Sequence, residues 1–158
     1  MPIEIERKFL VRNNNWKDAV KRSFIIKQGY LNSNAERIVR VRLKGDEGFI
    51  TIKGKSKGIS RAEFEYKIPV NEAEQILLLC EESIIKKTRF EVNIANHLWE
   101  IDVFKGANKG LIIAEIELSS EQENFELPTW IGKEVSDDKR YYNSYLAKNP
   151  FCQWNTND

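Results

Sequence analysis

Residues 38–44 of the chain read IVRVRLK, a stretch in which apolar and basic side chains alternate. Alternation with a period of two is typical of a β-strand with one apolar and one polar face, because successive side chains point to opposite sides of a sheet. Residues 23–30 predict a further strand, and the alternation returns at 3–9, 49–53, 62–68, 87–92, 99–104 and 112–118. This succession of short strands predicts an antiparallel barrel or sandwich.

Turns and helices are predicted from shorter signals. Polar stretches indicate hairpin turns at residues 44–48 and 93–97. Asn71 is followed three residues later by Glu74, and Ser120 by Glu123, which is the capping-box pattern found at the start of a helix. Both segments are therefore predicted to be helical, and a short helix is also expected at 15–22.

The C-terminal part of the sequence predicts a last helix followed by a tail. Asp137 or Ser136 would cap a helix that continues through Arg140 to Leu146. Pro150 would prevent that helix from continuing. The polar residues 149–158 are therefore predicted to form a loosely ordered tail.

The composition limits the classes of partner. Of the 158 residues, 25 are basic and 24 acidic, so 31% of the chain is charged while its net charge is +1. This balance gives no overall field that favours nucleic acid or an anionic membrane. No run approaches the ~20 apolar residues that span a bilayer, and a soluble, cytoplasmic protein is expected. A hydrophobic share of 41% supports one packed core, so residues 1–148 are expected to form one domain.

Cysteine and histidine chemistry has little support in this sequence. Cys80 and Cys152 show no C-x-x-C spacing and are interpreted as reduced thiols. The single histidine, His97, lies in a predicted turn, where a structural role is favoured over that of a catalytic base. Schemes based on Ser/His/Asp or Cys/His nucleophiles are therefore disfavoured.

The charged residues of each strand share one face, and neighbours on a strand often carry the same sign. Such pairs are Glu4/Glu6, Arg40/Arg42, Glu63/Glu65, Lys87/Arg89, Glu100/Asp102 and Glu115/Glu117. One interpretation is the solvent face of an ordinary antiparallel sheet. Protein surfaces usually mix both signs, however, and like charges on one face repel. The whole set therefore favours the lumen of a barrel that contains counter-ions.

The chemistry of such a lumen follows from the kinds of side chain that line it. Clustered carboxylates without histidine or cysteine suit Mg²⁺, Mn²⁺ or Ca²⁺. Arginine and lysine on neighbouring strands suit phosphate. Acidic and basic strands together therefore predict a site for a metal-bound polyphosphate, where phosphoryl transfer depends on positioning and charge neutralisation.

Ordered motifs along nearly the whole chain are similar to those of one known family. They are EIERKFLV at 4–11, QGYL at 28–31, RVRLK at 40–44, TIKGK at 51–55, Glu63 with Glu65, KTRF at 87–90, EIDVF at 100–104, AEIEL at 114–118 and DKRYYN at 138–143. In this order they resemble the CYTH family, the triphosphate tunnel metalloenzymes, and within it the bacterial inorganic tripolyphosphatases. The resemblance implies an α+β fold, namely an eight-stranded antiparallel β-barrel that forms a tunnel, with flanking helices and a C-terminal helix that closes one mouth.

The resemblance also implies roles for individual residues. The triphosphate-binding positions correspond to Arg40, Arg42, Lys53, Lys87, Arg89 and Arg140. The metal-binding positions correspond to Glu4, Glu6, Glu115 and Glu117, with Mg²⁺ or Mn²⁺ as the implied cofactor, and the supporting carboxylates are Glu63, Glu65, Glu100 and Asp102. Lys8 and Tyr30 resemble a lysine and tyrosine dyad associated with hydrolysis, although strand tyrosines usually serve packing.

These observations lead to the hypothesis of a metal-dependent phosphohydrolase that cleaves inorganic tripolyphosphate, or a compact organic triphosphate, with water as the nucleophile. The alternatives are a class IV type adenylyl cyclase, a thiamine triphosphatase and a polyphosphate-binding module without turnover. The presence of all the metal-side glutamates favours an enzyme over a binding module. The expected partner is a small triphosphate, and neither nucleic acid nor a membrane. A homodimer is expected from the resemblance alone.

Overall fold

The computed structural model describes residues 2–154 of the chain, and β-strands form most of its regular structure. The strands are β1 Ile3–Val11, β2 Val20–Asn32, β3 Arg37–Lys44, β4 Glu47–Gly54, β5 Ser60–Ile68, β6 Ile85–Ile94, β7 His97–Phe104, β8 Ile112–Glu117 and β9 Ile131–Glu134. The helices are α1 Val70–Leu77 and α2 Asn143–Lys148, and 3₁₀ turns lie at Asn15–Ala19, Gly106–Asn108, Lys139–Tyr141 and Phe151–Gln153. Each strand predicted from the sequence is confirmed.

The strands form a closed antiparallel barrel of eight strands, with β9 as an additional strand. Hydrogen-bonded neighbours follow the order β5-β4-β3-β2-β6-β7-β8-β1, and pairing of β1 with β5 closes the ring. Residues Ile3 to Ile5 of β1 pair with β5, while β9 pairs with the same edge of β1 further along, at Phe9 and Val11. The predicted barrel is therefore confirmed. Strand β9 was not predicted, because its four residues, IGKE, show too short a pattern.

Apolar side chains occupy the outer face of the barrel, and this orientation turns the charged faces inward. Trp99 is fully buried there, with Phe9 and Trp130 at ring-centroid distances of 5.6 Å each. On the opposite side, α1 covers β3 and β4, and Ala73 of α1 packs so closely on Gly48 that only glycine fits there. Because the covering segments lie outside, the lumen is left to the polar side chains.

Both predicted hairpin turns are present. Strands β3 and β4 are joined by a turn in which Gly45 has a φ of +60°, and β6 and β7 by a turn at Ala95 and Asn96 with φ of +46° and +68°. Positive φ values match the right-handed twist of the flanking strands in tight hairpins. His97 follows this turn as the first residue of β7, and its Nε2 lies 2.5 Å from Glu123 Oε2.

The two capping-box predictions have different outcomes. The helix after Asn71 is confirmed as α1, but it begins at Val70 after Pro69 and has no side-chain cap. The helix predicted from Ser120 is wrong, since this segment forms a turn. The Glu123 carboxylate accepts hydrogen bonds from the Ser119 backbone at 2.7 Å and from the Ser119 hydroxyl, which closes the turn instead of starting a helix.

The C-terminal helix is present but shorter than predicted. A 3₁₀ turn at Lys139–Tyr141, capped by Asp138, precedes α2. Leu146 and Ala147 of α2 are buried against the inward-facing Tyr30, Ile85, Phe104 and Ile113 at one end of the barrel. The helix therefore closes this end of the lumen.

Two further segments differ from the helix or strand patterns around them. The helix expected at 15–22 is a 3₁₀ turn over Asn15–Ala19, after which β2 begins. In the predicted tail, Trp154 packs on Phe151 and Tyr141 at ring-centroid distances of 5.0 and 5.4 Å, and residues 155–158 lie outside the described residues. No helix among residues 2–154 is long and apolar enough to cross a lipid bilayer.

Candidate active site

The inward faces of the barrel strands enclose a cavity of about 240 Å³ with a strongly charged lining. The structure brings together nearly all of the site residues predicted from the sequence. Those that line the cavity are Glu4, Glu6, Lys8, Tyr30, Arg40, Arg42, Lys53, Glu63, Glu65, Lys87, Arg89, Glu100, Glu115 and Glu117. Because these residues come from strands far apart in sequence, closure of the barrel creates the site.

Carboxylates of the neighbouring strands β1 and β8 form one wall of the cavity. The register places Glu6 opposite Glu117 and Lys8 opposite Glu115. Burial, together with the charges of Glu115 and Glu4, raises the pKa of Glu6 well above its usual value. Burial also disfavours the charge of Glu115, but Lys8 and Arg89 outweigh it and hold the pKa of Glu115 well below the usual value. This wall therefore places Glu6, which favours its protonated form, beside the charged carboxylate of Glu115.

The acidic wall has the donor chemistry of a divalent metal site, although its side chains are not arranged as one. Among residues 2–154, no three Asp, Glu, His or Cys side chains form a group ready to hold a metal ion. Glu4 instead contacts Lys53, whose Nζ lies 2.9 Å from Glu4 Oε1. Oxygen donors that repel one another fit a hard cation such as Mg²⁺ or Mn²⁺, which would relieve the repulsion. Metal binding would require Glu4 to move away from Lys53.

Two carboxyl groups near Lys53, those of Glu4 and Glu63, have pKa values that are shifted in opposite directions. Burial disfavours the charge of Glu4, but Lys53 and a hydrogen bond from Glu63 lower the pKa of Glu4 to about 2. Burial and the neighbouring Glu4 raise the pKa of Glu63 to about 7. Lys53 Nζ also lies 3.4 Å from Glu63. Glu63 is therefore about half protonated at pH 7, and its proton lies in the hydrogen bond to Glu4.

Arg40 and Arg42 of β3 form the opposite, basic wall and have donors available for an anion. Among the described residues, no carboxylate lies within 4 Å of the Arg42 guanidinium, whose Nε donates to Gln28 Oε1 at 2.8 Å. Burial and the charges of Arg40 and Arg89 lower the pKa of Arg42 to about 9, which leaves it protonated at neutral pH. Within residues 2–154, Arg40 Nε is buried without a hydrogen-bond partner, although Arg40 Nη2 lies 3.6 Å from Glu65.

Lys87 and Arg89 of β6 are held by the fully buried Asp102 of β7. Asp102 accepts two hydrogen bonds from Arg89, at 2.8 and 2.9 Å, and lies 2.7 Å from Lys87 Nζ. Burial disfavours the charge of Asp102, but Arg89 and Lys87 lower its pKa. Asp102 does not line the cavity and supports the two cations from behind. Burial, with the charges of Arg89 and Arg42, lowers the pKa of Lys87 to about 7.

Lys8 and Tyr30, the predicted dyad, both line the cavity. Lys8 Nζ lies 3.5 Å from Glu115 and 3.8 Å from Glu6, and these charges raise the pKa of Lys8 although burial opposes the shift. The Lys8 ammonium also lies 5.5 Å from the centre of the Tyr142 ring. The Tyr30 hydroxyl accepts a hydrogen bond from Gln28 Nε2 at 3.2 Å.

Arg140 is the predicted triphosphate ligand that the structure does not bring to the cavity lining. Its guanidinium binds the Asp138 carboxylate, with Nη2 2.8 Å from Oδ2. The guanidinium also lies over the rings of Tyr141 and Trp154, at 5.6 and 5.4 Å from their centres. These contacts place it beside the C-terminal segment and outside the lumen.

The sequence prediction missed several polar residues of the cavity lining, among them Tyr142, Asn143 and Ser144 at the closed end, and also Gln28, which contacts Asn143 from behind the lining. Gln28 shares the inward face of β2 with Tyr30, so the period of two could have identified it. Tyr142 and Asn143 follow a 3₁₀ turn, where no strand or helix period indicates the direction of a side chain.

Comparison with known proteins gives one consistent result. A family model described as CYTH domain matches residues 2–144. The chain is 48% identical over 149 residues to a curated protein of Acetivibrio thermocellus named inorganic triphosphatase, and the alignment covers 94% of this chain and 95% of that protein. An inorganic triphosphatase of Nitrosomonas europaea is 38% identical over 148 residues, with coverage of 91% and 96%.

Solved structures agree with the sequence relatives. The crystal structure of an inorganic triphosphatase superposes with a TM-score of 0.67 at 36% sequence identity. This similarity covers 93% of the present chain and 95% of the other. It therefore extends over the barrel and its charged lumen.

Proposed function

Because the chain belongs to the CYTH domain family, we propose that it is a divalent-metal-dependent phosphoanhydride hydrolase whose substrate is inorganic tripolyphosphate. Both curated relatives that match along nearly their whole length carry the name inorganic triphosphatase. The cavity of about 240 Å³, lined mainly by charged side chains, suits a compact polyanion. It offers few apolar surfaces on which an organic base could stack.

The observation that carries this proposal is that carboxylates and the unneutralised guanidinium group of Arg42 face each other in one cavity. Arg42 has no carboxylate partner among the described residues, and Arg40 Nε has no hydrogen-bond partner. A buried arginine without a counter-charge is unfavourable unless an anion supplies one. The planar guanidinium offers paired donors that match phosphate oxygens. The basic wall therefore binds the phosphate chain.

The acidic wall would hold the metal through Glu4, Glu6, Glu115 and Glu117. A bound divalent cation neutralises phosphate oxygens and stabilises the charge that develops during phosphoryl transfer. Glu6, whose pKa is raised by burial and by Glu115 and Glu4, would have to release its proton in order to bind a cation. Carboxylates that the metal leaves uncoordinated are available to orient the attacking water.

Lys8 lies where it can stabilise charge on a phosphoryl group. Its pKa is raised by Glu115 and Glu6, so it stays an ammonium group and acts as an electrostatic donor, not as a base. Lys87 and Arg89, supported by Asp102, bind from the adjacent strand β6. The residues of this chain therefore contribute mainly by positioning charges, which is the main requirement of phosphoryl transfer.

The proposal is tested by metal-dependent phosphate release. The purified protein is incubated with Mg²⁺ or Mn²⁺ and with tripolyphosphate, ATP or thiamine triphosphate, and EDTA serves as the control. We expect release from tripolyphosphate that EDTA abolishes. Detection of cyclic AMP from ATP would instead identify an adenylyl cyclase, and release mainly from thiamine triphosphate would identify that ester as the substrate.

A pair of glutamate variants makes the test specific to the site. Glu6→Gln is expected to lower kcat/KM by about 100-fold or more, because it removes one charged oxygen ligand of the metal and of the water. Glu47→Gln is the matched control, since Glu47 is exposed, pairs with Lys67 at 2.7 Å and does not line the cavity. Equal activity of both variants, or no phosphate release by the wild-type protein, would contradict the proposal.

A further inference from the structure

Two buried amide side chains, Gln28 of β2 and Asn143 of α2, connect the barrel wall with the C-terminal helix. Gln28 is fully buried and Asn143 is 9% exposed. Gln28 Nε2 donates a hydrogen bond to Asn143 Oδ1 at 3.0 Å. This contact joins the first residue of α2 to a strand more than a hundred positions earlier in the chain.

Each amide also contacts one cation of the lumen. Asn143 Oδ1 accepts a second hydrogen bond from Lys87 Nζ at 3.0 Å, and Gln28 Oε1 accepts one from Arg42 Nε at 2.8 Å. Lysine and arginine only donate, so they determine which atom of each amide is the oxygen. The result is a continuous chain of hydrogen bonds from Lys87 through Asn143 and Gln28 to Arg42.

The second hydrogen of Gln28 Nε2 is directed to the Tyr30 hydroxyl oxygen, at 3.2 Å. Tyr30 accepts in this contact, so its own hydroxyl hydrogen remains available to donate. Gln28 therefore contacts Arg42, Tyr30 and Asn143 at the same time. Its side chain fixes the position of two lumen residues relative to α2.

The neutrality of these amides distinguishes them from the other supports in the lumen. Lys53 and Arg89 are held by carboxylates, which neutralise their charge. Arg42 is held by a neutral carbonyl oxygen, which fixes the guanidinium while leaving its positive charge to be balanced by something else. At Arg42 the neutral support therefore combines order with an unneutralised charge, as an anion site requires, whereas Lys87 is held by both Asn143 and Asp102.

We propose that Gln28 and Asn143 are positioning residues that hold Arg42 and Lys87 in place for one phosphoryl group at the closed end of the lumen, so that docking of α2 controls the affinity for the anion. The substrate in this inference rests on the proposed function. The positioning itself depends only on binding of a polyphosphate anion, with or without turnover. In this proposal α2 contributes Asn143 to the anion site in addition to closing one end of the barrel.

A double-mutant cycle tests whether Asn143 acts through Lys87. The affinity for tripolyphosphate is measured by calorimetry in EDTA for the wild type, Asn143→Ala, Lys87→Met and the double variant. Loss of a hydrogen bond that orders a charged ligand group is expected to weaken binding about tenfold. In the Lys87→Met background, Asn143→Ala should change the affinity less than about threefold, because the group that it positions is absent.

Matched variants separate positioning from folding. Asn149→Ala removes the same side chain at the other end of α2, where the amide is exposed, and should bind tripolyphosphate as the wild type does. Asn143→Asp keeps both accepted hydrogen bonds but adds a charge that pairs with Lys87, so we expect an intact fold and at least a tenfold loss of affinity. This variant keeps the proposal testable if Asn143→Ala does not fold.

Steady-state kinetics give an independent readout. A positioning role in anion binding predicts that Asn143→Ala raises KM about tenfold while kcat changes little. The inference is overturned if Asn143→Ala binds tripolyphosphate as tightly as Asn149→Ala does, or if its tenfold loss of affinity persists in the Lys87→Met background. It is also overturned if Asn143→Asp binds tripolyphosphate as tightly as the wild type does. A wild-type protein that binds tripolyphosphate without hydrolysing it would overturn the proposed function alone. A wild-type protein that does not bind tripolyphosphate would overturn both.

Discussion

Replacing Asp102 by asparagine tests the claim that a buried carboxylate holds the cations of β6. Asp102 is fully buried, accepts two hydrogen bonds from Arg89 and lies 2.7 Å from Lys87 Nζ, which is itself almost fully buried. Asparagine has nearly the same shape, but it carries no charge and its amide hydrogens point at a group that can only donate. The variant therefore leaves Lys87 without a counter-charge and Arg89 with only the more distant Glu100 and Glu115, at 3.3 and 3.7 Å.

The expected cost is large because Arg89 stays charged and buried, whereas Lys87, whose pKa is about 7 even beside Asp102, would lose its proton. Removing one partner of a buried ion pair typically destabilises a protein by about 3–5 kcal/mol. For a protein of this length each kcal/mol lowers Tm by about 2–4 °C, so we expect a decrease of roughly 6–20 °C. A polyphosphate anion supplies the missing negative charge, and saturating tripolyphosphate should therefore recover more stability in the variant than in the wild type.

The assay is thermal unfolding followed by circular dichroism, with and without tripolyphosphate in EDTA. Asp138→Asn is the control, because Asp138 pairs with Arg140 at the surface and should contribute less than about 1 kcal/mol. If Asp102→Asn unfolds within about 2 °C of the wild type, the buried cations do not depend on this carboxylate. If the anion stabilises both proteins equally, it does not bind beside Lys87 and Arg89.

Two further predictions concern pH and packing. Burial and Glu4 raise the pKa of Glu63 from 4.5 to about 7 in the folded protein. The folded state therefore holds this proton more tightly than the unfolded state does, so the contribution of Glu63 lowers the free energy of unfolding as pH rises from about 4.5 to about 7. Glu63→Gln should match the wild type in urea unfolding at pH 5 and exceed it by about 1 kcal/mol at pH 8; parallel pH profiles of the two proteins would contradict this assignment. Gly48→Ala should lower the urea midpoint by an amount equivalent to about 1–3 kcal/mol, since a Cβ at Gly48 would lie 2.8 Å from Ala73 Cβ and 3.1 Å from the Ile68 carbonyl oxygen. An unchanged midpoint would show that α1 shifts without cost.

Secondary structure was predictable where the pattern was long and periodic. The alternation extends over seven residues in β3 and six in β6, at 38–44 and 87–92, and the structure confirms a strand in each case. The helix predicted from Ser120 failed because a capping box is a short signal that other contacts can satisfy. Here Glu123 turns back to Ser119 and His97, so the residues that would have capped a helix close a turn.

The charged lining was predictable because side-chain direction in a strand depends only on position along the chain. Glu4, Arg40 and Lys87 all face the lumen, as their spacing indicates. Asp102 has the same direction but lies behind Lys87 and Arg89, and this depth depends on barrel packing, not on the period. Arg140 lies outside any strand, and its position follows from contacts with Asp138 and Trp154 that the sequence pattern does not contain.

The sequence by itself determined the strands, their inward charges and the kinds of ion that those charges suit, because each of these follows from local spacing and side-chain chemistry. Only the tertiary structure decided which charges meet. Closure of β1 on β5 brings Lys53 to Glu4, and docking of α2 brings Asn143 between Gln28 and Lys87. These contacts join residues distant in sequence, and their partners are selected by barrel closure and helix packing, which no local pattern specifies.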